Sequence, residues 1–246
     1  MKMTAPDFER TIKRTLAAAA CALAAAAAAA AGDAPQTAPE ALTPEAWAKT
    51  LKAMPEGNFI AGAADHAGLF CNSCHGKAGN ADSEHYPSLG GQPAEVIIKA
   101  LLDYRDGRRS GDARADLMAA AARPLTDQQI ANLAAIYAAG KLPAPREAAR
   151  GGDAALKLVT KGDVSRNITP CAACHGVSGR GNPNQAVPVL YGQGRNYLEI
   201  ALKQYRDGTR TSDMLSEMRF FAKELTDEEI AGLADFFATH EGLAGK

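Results

Sequence analysis

The sequence predicts an all-α protein built from two tandem copies of one small helical domain. Three observations carry that expectation. The hexapeptide Cys71-Asn72-Ser73-Cys74-His75-Gly76 returns as Cys171-Ala172-Ala173-Cys174-His175-Gly176, and further signatures around it return in register. Apolar residues recur at the three- and four-residue spacing of helices. No stretch shows sustained apolar/polar alternation flanked by hairpin turns. The length of 246 residues suits about two domains, and 46% apolar with 22% charged residues is a globular composition. The net charge of −1, from 27 basic and 28 acidic residues, gives no footprint for nucleic acid.

Taken in order, the chain opens on a segment to be set aside. Arg10, Lys13 and Arg14 precede an apolar run from Leu16 to Ala31, followed by Gly32-Asp33-Ala34. A basic region, an apolar region and small residues at the exit describe a secretory signal peptide over 1–31, hence export to the periplasm. The run is too weakly hydrophobic for a membrane span, and no integral span is expected in the mature chain. Cys21 lies inside it, and Ala18-Ala19-Ala20 is a poor lipobox. Residues 32–43, rich in Ala, Pro and Thr, read as a linker. The first domain is expected over 44–142, an interdomain linker over 143–148 marked by Pro143 and Pro145, and the second domain over 149–246.

Thr43-Pro44 looks like a helix start, and Trp47, Leu51 and Met54 follow at helical spacing. After the first Cys-x-x-Cys-His the chain runs one programme twice. Pro87-Ser-Leu89-Gly-Gly91-Gln92 recurs as Pro188-Val-Leu190-Tyr-Gly192-Gln193. A helix with Val96, Ile97, Ala100, Leu101 and Tyr104 on its apolar face ends in Tyr104-Arg105-Asp106-Gly107, and its counterpart ends in Tyr205-Arg206-Asp207-Gly208. Gly107 is placed as a C-terminal stop. Thr126-x-x-Gln129 and Thr226-x-x-Glu229 are capping boxes. They open helices whose inward faces are Ile130, Leu133, Ala134 and Tyr137, then Ile230, Leu233, Ala234 and Phe237.

The duplicated motif carries the chemistry. Two thiols one helical turn apart can both reach the vinyl groups of one porphyrin, and the adjacent imidazole then sits under the ring: this is the attachment signature of c-type haem. A redox dithiol needs a thioredoxin-like βαβ setting, which the helical flanks do not offer. A zinc site of four thiolates leaves both histidines unexplained. A disulfide framework suits small, cysteine-rich secreted chains. Two covalently bound haems, through Cys71, Cys74, Cys171 and Cys174, are therefore expected. With aromatics at only 6%, a buried porphyrin also supplies missing core bulk.

The opposite iron position decides function. Met118 and Met218 share the offset of the haem motifs and lie equally far beyond His75 and His175. Met214 rivals Met218 but has Arg114 as its counterpart, and Met54 precedes the motif and reads as packing. His66, His85 and His240 do not repeat and read as surface or packing residues. The Arg-Asp pairs at 105–106 and 206–207 are candidates for haem propionates but read better as solvated helix ends. Thioether sulfur favours ferrous iron, and an iron with both axial positions filled can still gain and lose an electron but has no place for substrate.

Cys-x-x-Cys-His, then Pro-x-Leu-x-Gly-Gln, a helix ending Tyr-Arg-Asp-Gly, a methionine and Leu-Thr-Asp-x-x-Ile resemble class I cytochrome c. Two such domains behind a signal peptide resemble the dihaem cytochrome c4 family, over roughly residues 60–240. The resemblance implies two class I domains in a pseudo-twofold relation, with His75 and His175 proximal and Met118 and Met218 distal. It also implies that the carbonyls of Pro87 and Pro188 accept the proximal histidine N–H. Around Met118 the first copy has no second methionine nearby. Members carry electrons in the periplasm, often from a bc-type complex toward a haem–copper oxidase. The expected function is thus a periplasmic dihaem electron carrier rather than an enzyme, its alternatives being the cytochrome subunit of a dehydrogenase complex and, lower, a dihaem peroxidase.

Overall fold

Each half of the chain wraps short helices around its own apolar cluster. The structure, a computed structural model, describes residues 39–146 and 152–239. The expected signal segment with Cys21, most of the 32–43 linker, part of the 143–148 linker and His240 lie outside the described residues.

The first half contains α1 (Pro44–Ala53), α2 (Phe59–Gly68), α3 (Asn72–His75), α4 (Ala94–Arg105), α5 (Ala113–Ala122) and α6 (Asp127–Ala138). The second contains α7 (Asp153–Lys161), α8 (Ala172–His175), α9 (Arg195–Arg206), α10 (Glu217–Ala222) and α11 (Asp227–Thr239). Among the described residues β pairing is confined to the isolated bridges Asp163–Ile168 and Asn182–Val187. The protein is all-α, with two tandem domains. No helix among the described residues is long and apolar enough to cross a membrane.

Local chemistry sets the helix ends. The Thr43 hydroxyl accepts the Ala46 N–H at 3.2 Å, with Pro44 at the first helical position where a missing N–H costs nothing. Thr126 and Gln129 exchange hydrogen bonds, as do Thr226 and Glu229, satisfying donors that the first turn leaves orphaned. Gly107 and Gly208, at φ +77° and +70°, close α4 and α9 in the left-handed region.

The first core gathers Trp47, Ile97, Ile98, Leu102, Ile130, Leu133 and Tyr137. The second gathers Leu158, Val159, Leu198, Ile230, Leu233, Phe236 and Phe237. The inward faces of α6 and α11 are those the periodicity named. On α4 the face is turned: Ile97, Ile98 and Leu102 are buried, Leu101 and Tyr104 pack at the edge, and Val96 and Ala100 are only half-buried. The reason is a second neighbour. The Lys99 ammonium donates to Ser212 O at 2.6 Å and to Asp103, whose carboxylate is also held by Arg108 at 2.9 Å. One apolar stripe cannot describe a helix buried on two sides.

The halves meet along a broad polar seam. The Arg195 guanidinium bridges Glu84 at 3.2 Å and Asp235 at 2.7 Å, the Tyr197 N–H donates to Glu84 O, and the Gln204 amide donates to Asp112. Ala186 and Met214, both from the second half, pack on the core of the first.

Candidate functional site

Each Cys-x-x-Cys-His forms a single helical turn closed by a glycine. α3 and α8 end at Gly76 and Gly176, at φ +76° and +74°, whose N–H groups donate to Asn72 O and Ala172 O. That turn buries the histidine: His75 and His175 are 6% and 8% exposed. Nδ1 of His75 lies 2.8 Å from Pro87 O, and Nδ1 of His175 lies 3.0 Å from Pro188 O. A carbonyl can only accept, so Nδ1 carries the proton and Nε2 keeps its lone pair for a metal. Burial lowers both imidazole pKa values, against the opposing pull of the proline carbonyl, so the rings are neutral.

The proline loops are held from behind in the same way in both halves. Leu89 and Gly90 donate to Gly79 O, as Leu190 and Tyr191 donate to Gly179 O. Gly91 and Gly192, at φ +74° and +69°, donate to Tyr137 O and Phe237 O near the ends of α6 and α11. The repeated Pro-x-Leu-x-Gly-Gln thus supplies a carbonyl to the histidine, a leucine to the core and a glycine to a positive-φ corner.

None of the four motif cysteines is engaged in a disulfide. Burial raises the Cys71 thiol and pushes Cys171 up to about 11. Cys71 and Cys171 sit against the two apolar cores.

Met118 lies on α5 and Met218 on α10, each half-buried and outside both core clusters. Met54 and Met214 pack on the first core instead, which sets Met214 apart from Met218. Asp112 caps α5 by accepting Arg114 and Ala115 N–H groups, and Asp213 holds Arg219 N–H at the start of α10. These aspartates repeat at the offset of the Pro-x-Leu-x-Gly-Gln loops, a signal that sequence reasoning passed over. Leu215 and Ser216, just before α10, take positive φ of 54° and 58°, strain of the kind that gathers at functional sites. In the second half a cavity of about 240 Å³ is lined by Val164, Asn167, Ile168, Thr169, Pro170 and Phe220, so the approach to Cys171 faces the helix of Met218.

The other histidines are otherwise engaged. His66 is buried, with Nε2 3.1 Å from Gly76 O and Nδ1 2.8 Å from the Tyr137 hydroxyl, and His85 is exposed beside Asn196. Arg105 and Arg206 pair with Asp106 and Asp127 and with Asp207 and Asp227 at helix ends.

A second cluster was missed in the sequence, although its members repeat. Arg109 lies 4.6 Å over the Tyr104 ring and Arg210 lies 4.4 Å over Tyr205. Both guanidiniums face the Tyr197 phenol; burial raises that phenol's pKa, but the two cations outweigh it and lower it overall. Among the described residues no carboxylate pairs with Arg109 or Arg210, and Arg210 Nε is buried without a partner. Two concentrated positive charges with a spare donor suit an anionic group.

The donor set fits a covalently attached haem: paired thiols, a neutral imidazole with Nε2 free, an apolar bed and cations for the two haem carboxylates. The comparison with known families decides it. The cytochrome c family model matches twice, at residues 60–135 and 165–241.

The chain belongs to the cytochrome c family.

More narrowly, it is a dihaem cytochrome of the cytochrome c4 family, carrying two covalently bound haem c groups, and an electron-transfer protein. It is 34% identical over 186 residues to the thiosulfate dehydrogenase electron acceptor of Stutzerimonas stutzeri, covering 73% of this chain and 83% of that one. It is 31% identical over 185 residues to cytochrome c4 of Pseudomonas aeruginosa, covering 73% and 87%. The crystal structure of reduced cytochrome c4 from Pseudomonas stutzeri superposes with a TM-score of 0.67 at 29% identity, over 75% of this cytochrome and 100% of that chain.

Proposed function

We propose that this cytochrome is a periplasmic carrier of single electrons between redox proteins, through two haems that each have histidine and methionine as axial ligands. In this reading Cys71 and Cys74 hold the first haem and Cys171 and Cys174 the second. His75 and His175 are proximal, their orientation fixed by Pro87 O and Pro188 O; Met118 and Met218 are distal. The observation that carries the reading is the contrast among methionines. Met54 and Met214 are packed as core filler, whereas Met118 and Met218 stand at one repeat offset, outside the cores, on helices whose first-turn N–H groups are held by Asp112 and Asp213.

The bound haem supplies the one-electron couple. The chain does the rest: it fixes both imidazoles as neutral donors, closes the iron to other ligands and brings the two centres together along one seam. Arg109 and Arg210 hold the haem carboxylates at that seam, where no carboxylate among the described residues pairs with them. Partners are other redox proteins: a bc-type complex, a haem–copper oxidase or a dehydrogenase. The similarity to a thiosulfate dehydrogenase electron acceptor favours a dehydrogenase as donor, which makes the subunit role the second reading. Residues 1–31 serve as the export signal.

A reductive titration of the exported protein tests the carrier reading. The expected result is two electrons per chain, returned fully on reoxidation, with no consumption of added peroxide. Steady peroxide turnover at either haem would replace the carrier by an enzyme. Co-purification with a larger catalytic subunit would select the subunit reading.

A further inference from the structure

Gln92 and Gln193 end the two proline loops. Both are buried, at 5% and 3% exposure, where an amide must find partners. Each finds them in the other domain. Gln92 Nε2–H donates to Val189 O at 2.8 Å, and Gln92 Oε1 accepts the Val189 N–H at 3.0 Å. Gln193 Nε2–H donates to Ser88 O at 2.6 Å, and Gln193 Oε1 accepts the Ser88 N–H at 2.9 Å.

The residues gripped are those that follow Pro188 and Pro87. The Val189 N–H therefore belongs to the same planar peptide unit as the Pro188 carbonyl, the group that accepts from His175 Nδ1. Likewise the Ser88 N–H shares a plane with Pro87 O, which accepts from His75. The result is two crossed relays, from Gln92 through one peptide to His175 and from Gln193 through another to His75. Because the unit is rigid, fixing its N–H fixes the direction of its carbonyl. Hydrogen bonding at one end of a peptide also polarises the other, and a more negative carbonyl makes the imidazole a more basic ligand.

We propose that Gln92 and Gln193 are positioning residues for electron transfer, each orienting across the domain seam the peptide that holds the other domain's proximal histidine. This rests on the axial role proposed for His75 and His175. Each iron's potential is thereby set partly from the opposite domain, and the two centres respond together when the seam loosens.

The test is Gln92→Ala and Gln193→Ala in the full haem-loaded protein, read by hydrogen exchange in the ferrous state. Gln92→Ala should speed exchange of the Val189 N–H and the His175 ring N–H by about tenfold or more, a factor that corresponds to ~1.4 kcal/mol. Ser88 and His75 should keep their protection, and Gln193→Ala should give the mirror pattern. In a redox titration, the potential of the His175 haem should rise in Gln92→Ala while that of the His75 haem holds. Gln92→Asn, one methylene short, serves if the alanine variant fails to take up haem. Equal loosening of both domains, an effect confined to the variant's own domain, or no change would each overturn the proposal. If the histidine ring protons of the parent protein lack the shift imposed by a haem ring, the axial reading itself falls. The amides of Ser88 and Val189 then still decide the clamp.

Discussion

Met218→Ala leaves one iron of the two open, so carbon monoxide shifts about half of the ferrous haem spectrum and leaves the rest unchanged. Met118→Ala gives the same fraction from the other domain, and the double variant shifts all of it. The potential of the altered haem falls, because a soft thioether that favoured ferrous iron is gone. Met214→Ala is the control. Its side chain packs on the core of the first domain, so its loss weakens the seam and leaves both irons closed. Carbon monoxide binding to Met214→Ala but not to Met218→Ala would exchange the roles of these two residues. The variants separate well because Met118 and Met218 lie outside both cores, and removing them leaves no large internal cavity.

Gly62→Ala should destabilise the first domain by about 3 kcal/mol or more, as overpacking at a tight helix crossing does. At this position α2 meets α6 with no room for a methyl: a Cβ on Gly62 would lie 2.2 Å from Asn132 O and 2.9 Å from Asn132 C. Those are backbone atoms, so the helices must part. The crossing is also pinned by polar contacts that the separation breaks. Asn132 is 5% exposed; its Oδ1 accepts the Asn58 N–H at 2.9 Å and its Nδ2 donates to Asp65 at 3.1 Å. Gly232→Ala, on α11 of the second domain, is the contrast. There a Cβ would meet only the Ala155 methyl at 3.7 Å, an ordinary contact. Removing a helical glycine should then stabilise by up to about 1 kcal/mol. Thermal unfolding of the two variants beside the parent checks both; equal effects would contradict this account of the crossings.

Much of this was legible in the sequence because the chain states it twice. Two copies of Cys-x-x-Cys-His, of Pro-x-Leu-x-Gly-Gln and of a capping box give an all-α tandem repeat, and Ile130, Leu133 and Tyr137 with their counterparts fall where a 3.6-residue period puts them. The α4 face was misjudged, since periodicity assumes one buried side and Lys99 on the other side reaches Ser212 of the second domain. Contacts across the seam join residues about a hundred positions apart and follow no local rule. Hence Arg109 and Arg210 were passed over for the more conspicuous Arg105 and Arg206, which helix-end aspartates hold. The approach to the motif also differs between copies. In the first, α2 runs on toward Phe70; in the second, α7 stops at Gly162, φ +65°, and a turn bridged by Asp163 and Ile168 leads to Cys171. A repeat offset near one hundred cannot show that the same span is spent on different structure.

In the carrier reading both irons are closed by protein ligands. The ferrous absorption spectrum of the exported protein, recorded before and after addition of carbon monoxide, tests it most directly. With both irons closed, the two spectra are the same. A shift in half or all of the haem would show an open iron and contradict that reading.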